Sequence, residues 1–284
     1  MSENTNRGIY TCANDNFASS LEGLLRSIQI SNPNLPVYVI PFDDECKKIK
    51  EICDEYGVVF WDGQVEFWDS IGSKIYGDRN HRPTIKKKNY FRKLSGFMGP
   101  LEEFIFVDVS IRVLSDVTKV FEILADSDYD ILFHARSLPF RNFHNDALIE
   151  VLEAVNPNIR RGFAAGCLVS KSGIFDRKTV EALASPGEML APLFGGAPEQ
   201  SFMNYYCGIT GIKCERLIHA DSSFPMSLTP EKIEKIGEGE YFRKTGKVDA
   251  KKKLYFALAR ERNTPAGHED YWLIEEFNSK VTKA

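Results

Sequence analysis

Asp108 ends the apolar run Phe104-Ile-Phe-Val107, and Arg92 and Lys93 precede it at the end of the basic stretch from Lys86 to Lys93. A carboxylate is the hard oxygen ligand that Mg²⁺ and Mn²⁺ prefer, and a cluster of ammonium and guanidinium groups can meet the same anions without a metal. Ser110, two residues on, offers only a hydroxyl. Other carboxylates stand at the ends of other β-prone runs: Asp15 just after 8–13, and Asp43 at the end of 36–43. Glu199 and Gln200 follow Pro198 at the start of a helical pattern, and His134 and Arg136 close the run that begins at Tyr129. Acids at strand ends have no structural need to converge, so their convergence would mark a ligand site. Each group also has a structural reading. Asp15 and Asp43 could cap helices, the Lys86 to Lys93 stretch could be a solvated helix face, and Glu199 could be an acid favoured by a helix dipole.

The elements that would position these groups alternate. Strands are predicted over 8–13, 36–43, 56–62, 104–108, 129–136 and 163–170. Helices are predicted over 17–28, where Phe17, Leu21, Leu24, Leu25 and Ile28 recur on one face, then over 45–55, 86–98, 117–125, 176–184 and onward from Pro198. The alternation predicts an α/β, Rossmann-like three-layer sandwich with a mostly parallel central sheet. The run 104–107 would be buried on both faces, and Asp108 would leave the carboxyl end of its strand, where such sheets bind ligands. The stretch from Gly63 to Arg82 lacks clean periodicity and is read as a lid-like loop. Asp126-Ser-Asp128 precedes its strand, at the wrong end of the sheet, and is read as a turn. Two further helices are expected over 254–260 and 269–281. The chain is read as one domain over 1–284, with an irregular C-terminal extension from about 222.

Composition narrows the class. The chain has 284 residues, 43% hydrophobic and 27% charged, the balance of an ordinary globular protein. A net charge of −4 argues against a nucleic-acid partner, whose footprint is a basic surface. No apolar stretch reaches the ~18 residues of a membrane span, and the polar N-terminus does not read as a signal peptide, so a cytoplasmic location is expected. The six cysteines form no Cys-x-x-Cys pair and are expected to be reduced, buried thiols.

Five segments, taken in order, resemble the GT-A glycosyltransferases, and most closely the retaining family related to glycogenin and the lipopolysaccharide galactosyltransferases. They are Thr11-Cys-Ala13-Asn-Asp15-Asn-Phe17, Asn89-Tyr90-Phe-Arg92-Lys93-Leu94, Asp108-Val109-Ser110, Phe163-Ala164-Ala165-Gly166, and Glu199-Gln200 to Asn204. The resemblance implies transfer of a sugar from a nucleotide-diphosphate donor, UDP-linked by expectation, to a small-molecule, glycan or protein acceptor. It places Thr11, Ala13, Asp15, Phe17 and Asp43 around the nucleoside, and Arg92, Lys88, Val109, Ser110, Ala165 and Gly166 around the diphosphate and sugar. Asp108, Glu199 and Gln200 become the candidates for chemistry. It implies an Mn²⁺ or Mg²⁺ on Asp108, Ser110 and a late histidine, His219 being preferred over His268. Two positions depart from the pattern: Ser110 stands for the second Asp of Asp-x-Asp, and Ala164 for an Asn. The departure at Ser110 leaves three readings open: a weakened metal site, a metal replaced by cations of the Lys86 to Lys93 cluster, or a nucleotide-sugar-binding protein without catalysis. A nucleotidyltransferase is a further alternative, disfavoured because no glycine-rich loop follows the first strand.

Overall fold

The computed structural model describes residues 6–82, 85–134, 143–144, 146–157, 165–195 and 197–221, together with strand segments at 233–237, 240–243, 252–253 and 256–258. In chain order these hold β1 (Arg7–Ala13), α1 (Ala18–Ser31), β2 (Val37–Pro41), α2 (Lys47–Tyr56), β3 (Val59–Phe60), α3 (Val65–Tyr76) and the short hairpin β4 (Asn80–Arg82) and β5 (Ile85–Lys86). A run of 3-10 turns, Lys87–Met98, leads into β6 (Glu103–Val107), β7 (Ile111–Val113), α4 (Thr118–Ala125) and β8 (Ile131–Phe133). Then come α5 (Asp146–Val155), β9 (Cys167–Lys171), α6 (Arg177–Leu190), α7 (Pro198–Thr210), β10 (Cys214–Arg216) and α8 (Leu217–Ala220). The described C-terminal segments are strands: β11 (Ile233–Gly237), β12 (Glu240–Arg243), β13 (Lys252–Lys253) and β14 (Phe256–Leu258).

The central sheet has seven strands in the order β10-β8-β9-β6-β1-β2-β3. The β1–β2, β1–β6, β2–β3 and β10–β8 pairings are parallel, and β9 runs antiparallel to both β6 and β8. Because β9 runs the other way, its first residues lie beside the carboxyl end of β6, with Val107 opposite Cys167. That reversal brings Ala165 and Gly166 to Asp108.

Strand alternation sorts the core into two layers. Ile9 and Ala13 of β1 and Ile105 and Val107 of β6 face α1, α2 and α4; Tyr10, Cys12, Phe104 and Phe106 face α3, the 3-10 segment, α6 and α7. Burial on both faces is why 104–107 reads as an unbroken apolar run. The six cysteines are all free thiols, five of them buried. No helix among the described residues is long and apolar enough to cross a membrane.

Three expectations are corrected. The stretch 63–82 is not a lid: most of it is α3, whose Trp68, Ile71 and Ile75 are buried and pack toward the 3-10 segment and α6. Its spacing is helical at Val65, Trp68, Ile71 and Ile75, and the flanking Gly63, Gly77 and Asp78 hid the period. The expected helix over 254–260 holds strand β14, which pairs antiparallel with β7. Asp15 does not cap its own helix but accepts the backbone N–H of Ile49, at 3.1 Å, in the first turn of α2. Helix α5 was not foreseen, and the expected helix over 269–281 lies outside the described residues.

Candidate active site

The site begins with the repeat of the 3-10 segment. At three residues per turn, Tyr90, Lys93 and Gly96 share one ridge. That ridge faces the sheet: Tyr90 packs edge-on against Phe42, and a Cβ added at Gly96 would lie 2.9 Å from the Tyr10 ring. Lys93 therefore points at β6, with Nζ 5.8 Å from the centre of the Phe106 ring. Asp108 continues the alternation Phe104, Phe106 and meets it.

Lys93 Nζ lies 2.7 Å from Asp108 Oδ1 and 3.4 Å from Glu199 Oε1. Glu199 comes from the first turn of α7 and its side chain is 2% exposed; that of Lys93 is 14% exposed. Burial works against the charged lysine, but Asp108 and Glu199 outweigh it and hold the ammonium above the ordinary lysine range. Burial pushes the Glu199 carboxyl up, against the pull of Lys93. Its second oxygen, Oε2, is buried and has no hydrogen-bond partner among the described residues.

The backbone of 165–166 closes over these groups. The Asp108 N–H donates to the Gly166 carbonyl at 2.8 Å, and a Cβ at Gly166 would stand 2.8 Å from Asp108 Oδ2. Any larger residue at 166 would require the Asp108 carboxylate to shift. The Ala165 N–H donates to Gln200 Oε1 at 3.1 Å, tying this turn to α7, and Asn204 Nδ2 donates back to the Gln200 carbonyl. Asp108, Lys93, Gly166, Glu199 and Gln200, from four separate elements, thus converge at the carboxyl end of β6.

Other predicted residues lie elsewhere. Arg92 forms a fork with Asp69 of α3, through Nε at 2.8 Å and Nη2 at 2.6 Å, and its Nη2 also reaches Asp44 at 2.9 Å. Lys88 packs its backbone on Gly72 of α3. Asp43 accepts from Asn14 Nδ2 at 2.6 Å and from the Glu45 N–H at 3.0 Å, closing the turn before α2. Thr11 and Ala13 alternate with Cys12, so their side chains lie on the opposite sheet face from Lys93, while Phe17 and Val109 belong to the core of that opposite face. Ser110 is half-buried in the turn after β6. His134 is buried beside the Phe256 ring, and Phe163, Ala164, Arg136 and His268 lie outside the described residues. A cleft of about 860 Å³ opens at the carboxyl ends of β2 and β3, lined by Asp43, Asp44, Phe60, Phe67, Arg92 and Arg177.

No protein-family model matches the chain, and no curated protein matches it by sequence. Solved structures do. The galactosyltransferase LgtC in complex with donor and acceptor sugar analogues superposes with a TM-score of 0.62 at 14% identity, over 98% of this chain and 97% of that one. An active-site mutant of LgtC gives 0.56 at 15% identity over the same shares. Mouse xyloside xylosyltransferase 1, in its apo form, gives 0.50 at 12% identity over 73% of this chain and 83% of its own.

The fold is GT-A. The resemblance stated from five sequence segments is borne out at the level of fold.

The metal set expected of a GT-A chain does not assemble here. Among the described residues no group of three or more His, Cys, Asp and Glu could hold a metal ion. His219 sits on α8, beyond a strand three positions from β6, and its Nδ1 is 2.9 Å from Glu215 Oε1; Asp108 meets Lys93 and Gly166 instead. Among the described residues, Asp108, Ser110 and His219 are not brought together as ligands of a divalent ion.

Sequence reasoning took Arg92 from the basic stretch, and the structure puts Lys93 at Asp108. The choice turns on a 3-10 period of three in place of 3.6, which neighbouring residue types do not announce. The one available signal was the 3-residue spacing of Phe91, Leu94 and Phe97, all buried.

Proposed function

We propose that the chain is a glycosyltransferase that moves a sugar from a nucleoside-diphosphate donor, a UDP-sugar being the first candidate, to a hydroxyl acceptor. One observation carries the reading: Asp108, Lys93, Glu199 and Gln200 converge beside a glycine at the carboxyl end of a central strand, on a GT-A fold. The cleft at β2 and β3 is of a size suited to a small ligand and has Asp43 for ribose hydroxyls, while its Phe60 and Phe67 rings lie under Lys50 and Arg177. The leaving group gains negative charge as the glycosidic bond to phosphate breaks, and a fixed cation at Lys93 is the group that would meet it. Gly166 would let the sugar approach the backbone. Glu199 and Gln200, at the N-terminus of α7, would orient the sugar and the acceptor hydroxyl. All of 1–284 would serve this one activity, as a single domain.

A second reading has its own support. Asp108 is already neutralised by Lys93 and Ser110 adds no charge, so the same site could hold a nucleotide sugar without turning it over. Both readings share a first test. Thermal unfolding with UDP, GDP and their common sugars should show a raised midpoint for one nucleotide series, about 2.7 kcal/mol at ~100 times the dissociation constant. Lys93→Met should lose most of that shift. Equal shifts in the wild type and in a folded Lys93→Met would remove Lys93 from the site.

A further inference from the structure

We propose that the Lys93 ammonium is the resident cation of this site, and that nucleoside-diphosphate binding there is independent of divalent metal. The inference rests on reading the site as one for a nucleoside diphosphate, but its metal arm can be tested without that reading.

Charge balance favours it. Lys93 lies between Asp108 and Glu199 and offsets negative charge within the site, and Ser110, where a second Asp would stand, brings no further carboxylate. Geometry favours it as well. Asp108 Oδ1 is engaged by the ammonium at 2.7 Å, so a metal on that oxygen would have to displace Lys93. The ammonium is also held from its other side, by Glu199 Oε1 at 3.4 Å and by the Phe106 face. A lysine fixed from three directions is a point charge that need not reorganise when an anion arrives. Arg92, next along the chain, is occupied by Asp69 and Asp44 and serves the packing of α3.

The test uses UDP and Mn²⁺ as probes on the full chain. Wild-type affinity for UDP should be the same, within about twofold, in EDTA and in Mn²⁺, and the wild type alone should show no Mn²⁺ binding by electron paramagnetic resonance at millimolar ion. Lys93→Ala frees the carboxylates of Asp108 and Glu199. It should lose roughly tenfold or more in UDP affinity in EDTA, and should gain both Mn²⁺ binding and Mn²⁺-restored UDP binding. A purely structural lysine would not produce that exchange of one cation for another.

Three results would overturn the proposal. One is wild-type UDP binding that requires Mn²⁺. Another is wild-type Mn²⁺ binding that disappears in Asp108→Asn. The third is a folded Lys93→Ala that gains no Mn²⁺. If no nucleotide binds under any condition, the donor-site reading fails and the Mn²⁺ arm still decides whether Lys93 stands in for a metal. If Lys93→Ala does not fold, the comparison of wild type with Asp108→Asn decides.

Discussion

Lys93→Met should lower stability by about 3 kcal/mol, visible as a fall in Tm of about 5 °C. Methionine keeps most of the side-chain volume, so the loss isolates the charge. Lys93 is the shared partner of Asp108 and Glu199, and removing it leaves two carboxylates crowded at one end of β6. Breaking a buried pair from one side typically costs ~3–5 kcal/mol, because the remaining charge has lost its solvent and its partner. The lower end applies here, since Asp108 is 32% exposed and Glu199, whose carboxyl is already pushed up by burial, can take a proton. A double-mutant cycle checks the mechanism: Lys93→Met made in a Glu199→Gln background should cost clearly less than in the wild type. Additive losses would mean that Lys93 and Glu199 act independently.

Trp68→Ala should cost ~3–5 kcal/mol, while Trp68→Phe should cost much less. Trp68 is fully buried in α3, with Phe67 and Phe175 edge-on at 5.3 and 6.1 Å. Alanine would leave a cavity that the neighbouring rings cannot fill without leaving their own contacts. The indole N–H has no hydrogen-bond partner among the described residues, so phenylalanine removes an unsatisfied donor worth ~1–3 kcal/mol while keeping most of the ring. Chemical denaturation of the two variants separates volume from polarity. A loss below ~1 kcal/mol for Trp68→Ala would mean that α3 is a peripheral segment, as the lid reading had it.

The contrast between α3 and β6 shows what the sequence carries. An apolar run closed by a lone acid, Phe104 to Asp108, has one sensible place in an α/β sheet, so the strand, its burial and the direction of Asp108 were all legible. Helix α7 was equally plain, because Pro198 marks its first turn. Helix α3 was obscured because the flanking Gly63, Gly77 and Asp78 masked the helical spacing of Val65, Trp68, Ile71 and Ile75. Candidate residues defined by strand ends and helix starts, namely Asp108, Gly166, Glu199 and Gln200, are brought together by the fold. The placement of the basic residues was not legible. Arg92 and Lys93 are adjacent and both basic, and a turn of three residues in place of 3.6 decides which one meets Asp108 and which one braces α3. Asp15 and Asp43 went to backbone amides, a use that is local and common for short carboxylates near turns.

We propose that sugar transfer takes place where Asp108, Lys93, Glu199 and Gln200 meet. Release of nucleoside diphosphate from a panel of UDP- and GDP-sugars, by the wild type and by folded Lys93→Met side by side, tests this. Release from one donor series is expected of the wild type, with a rate lower by about 100-fold or more in the variant, which lacks the fixed cation for the leaving group. Equal release by the two proteins would remove Lys93 from the chemistry.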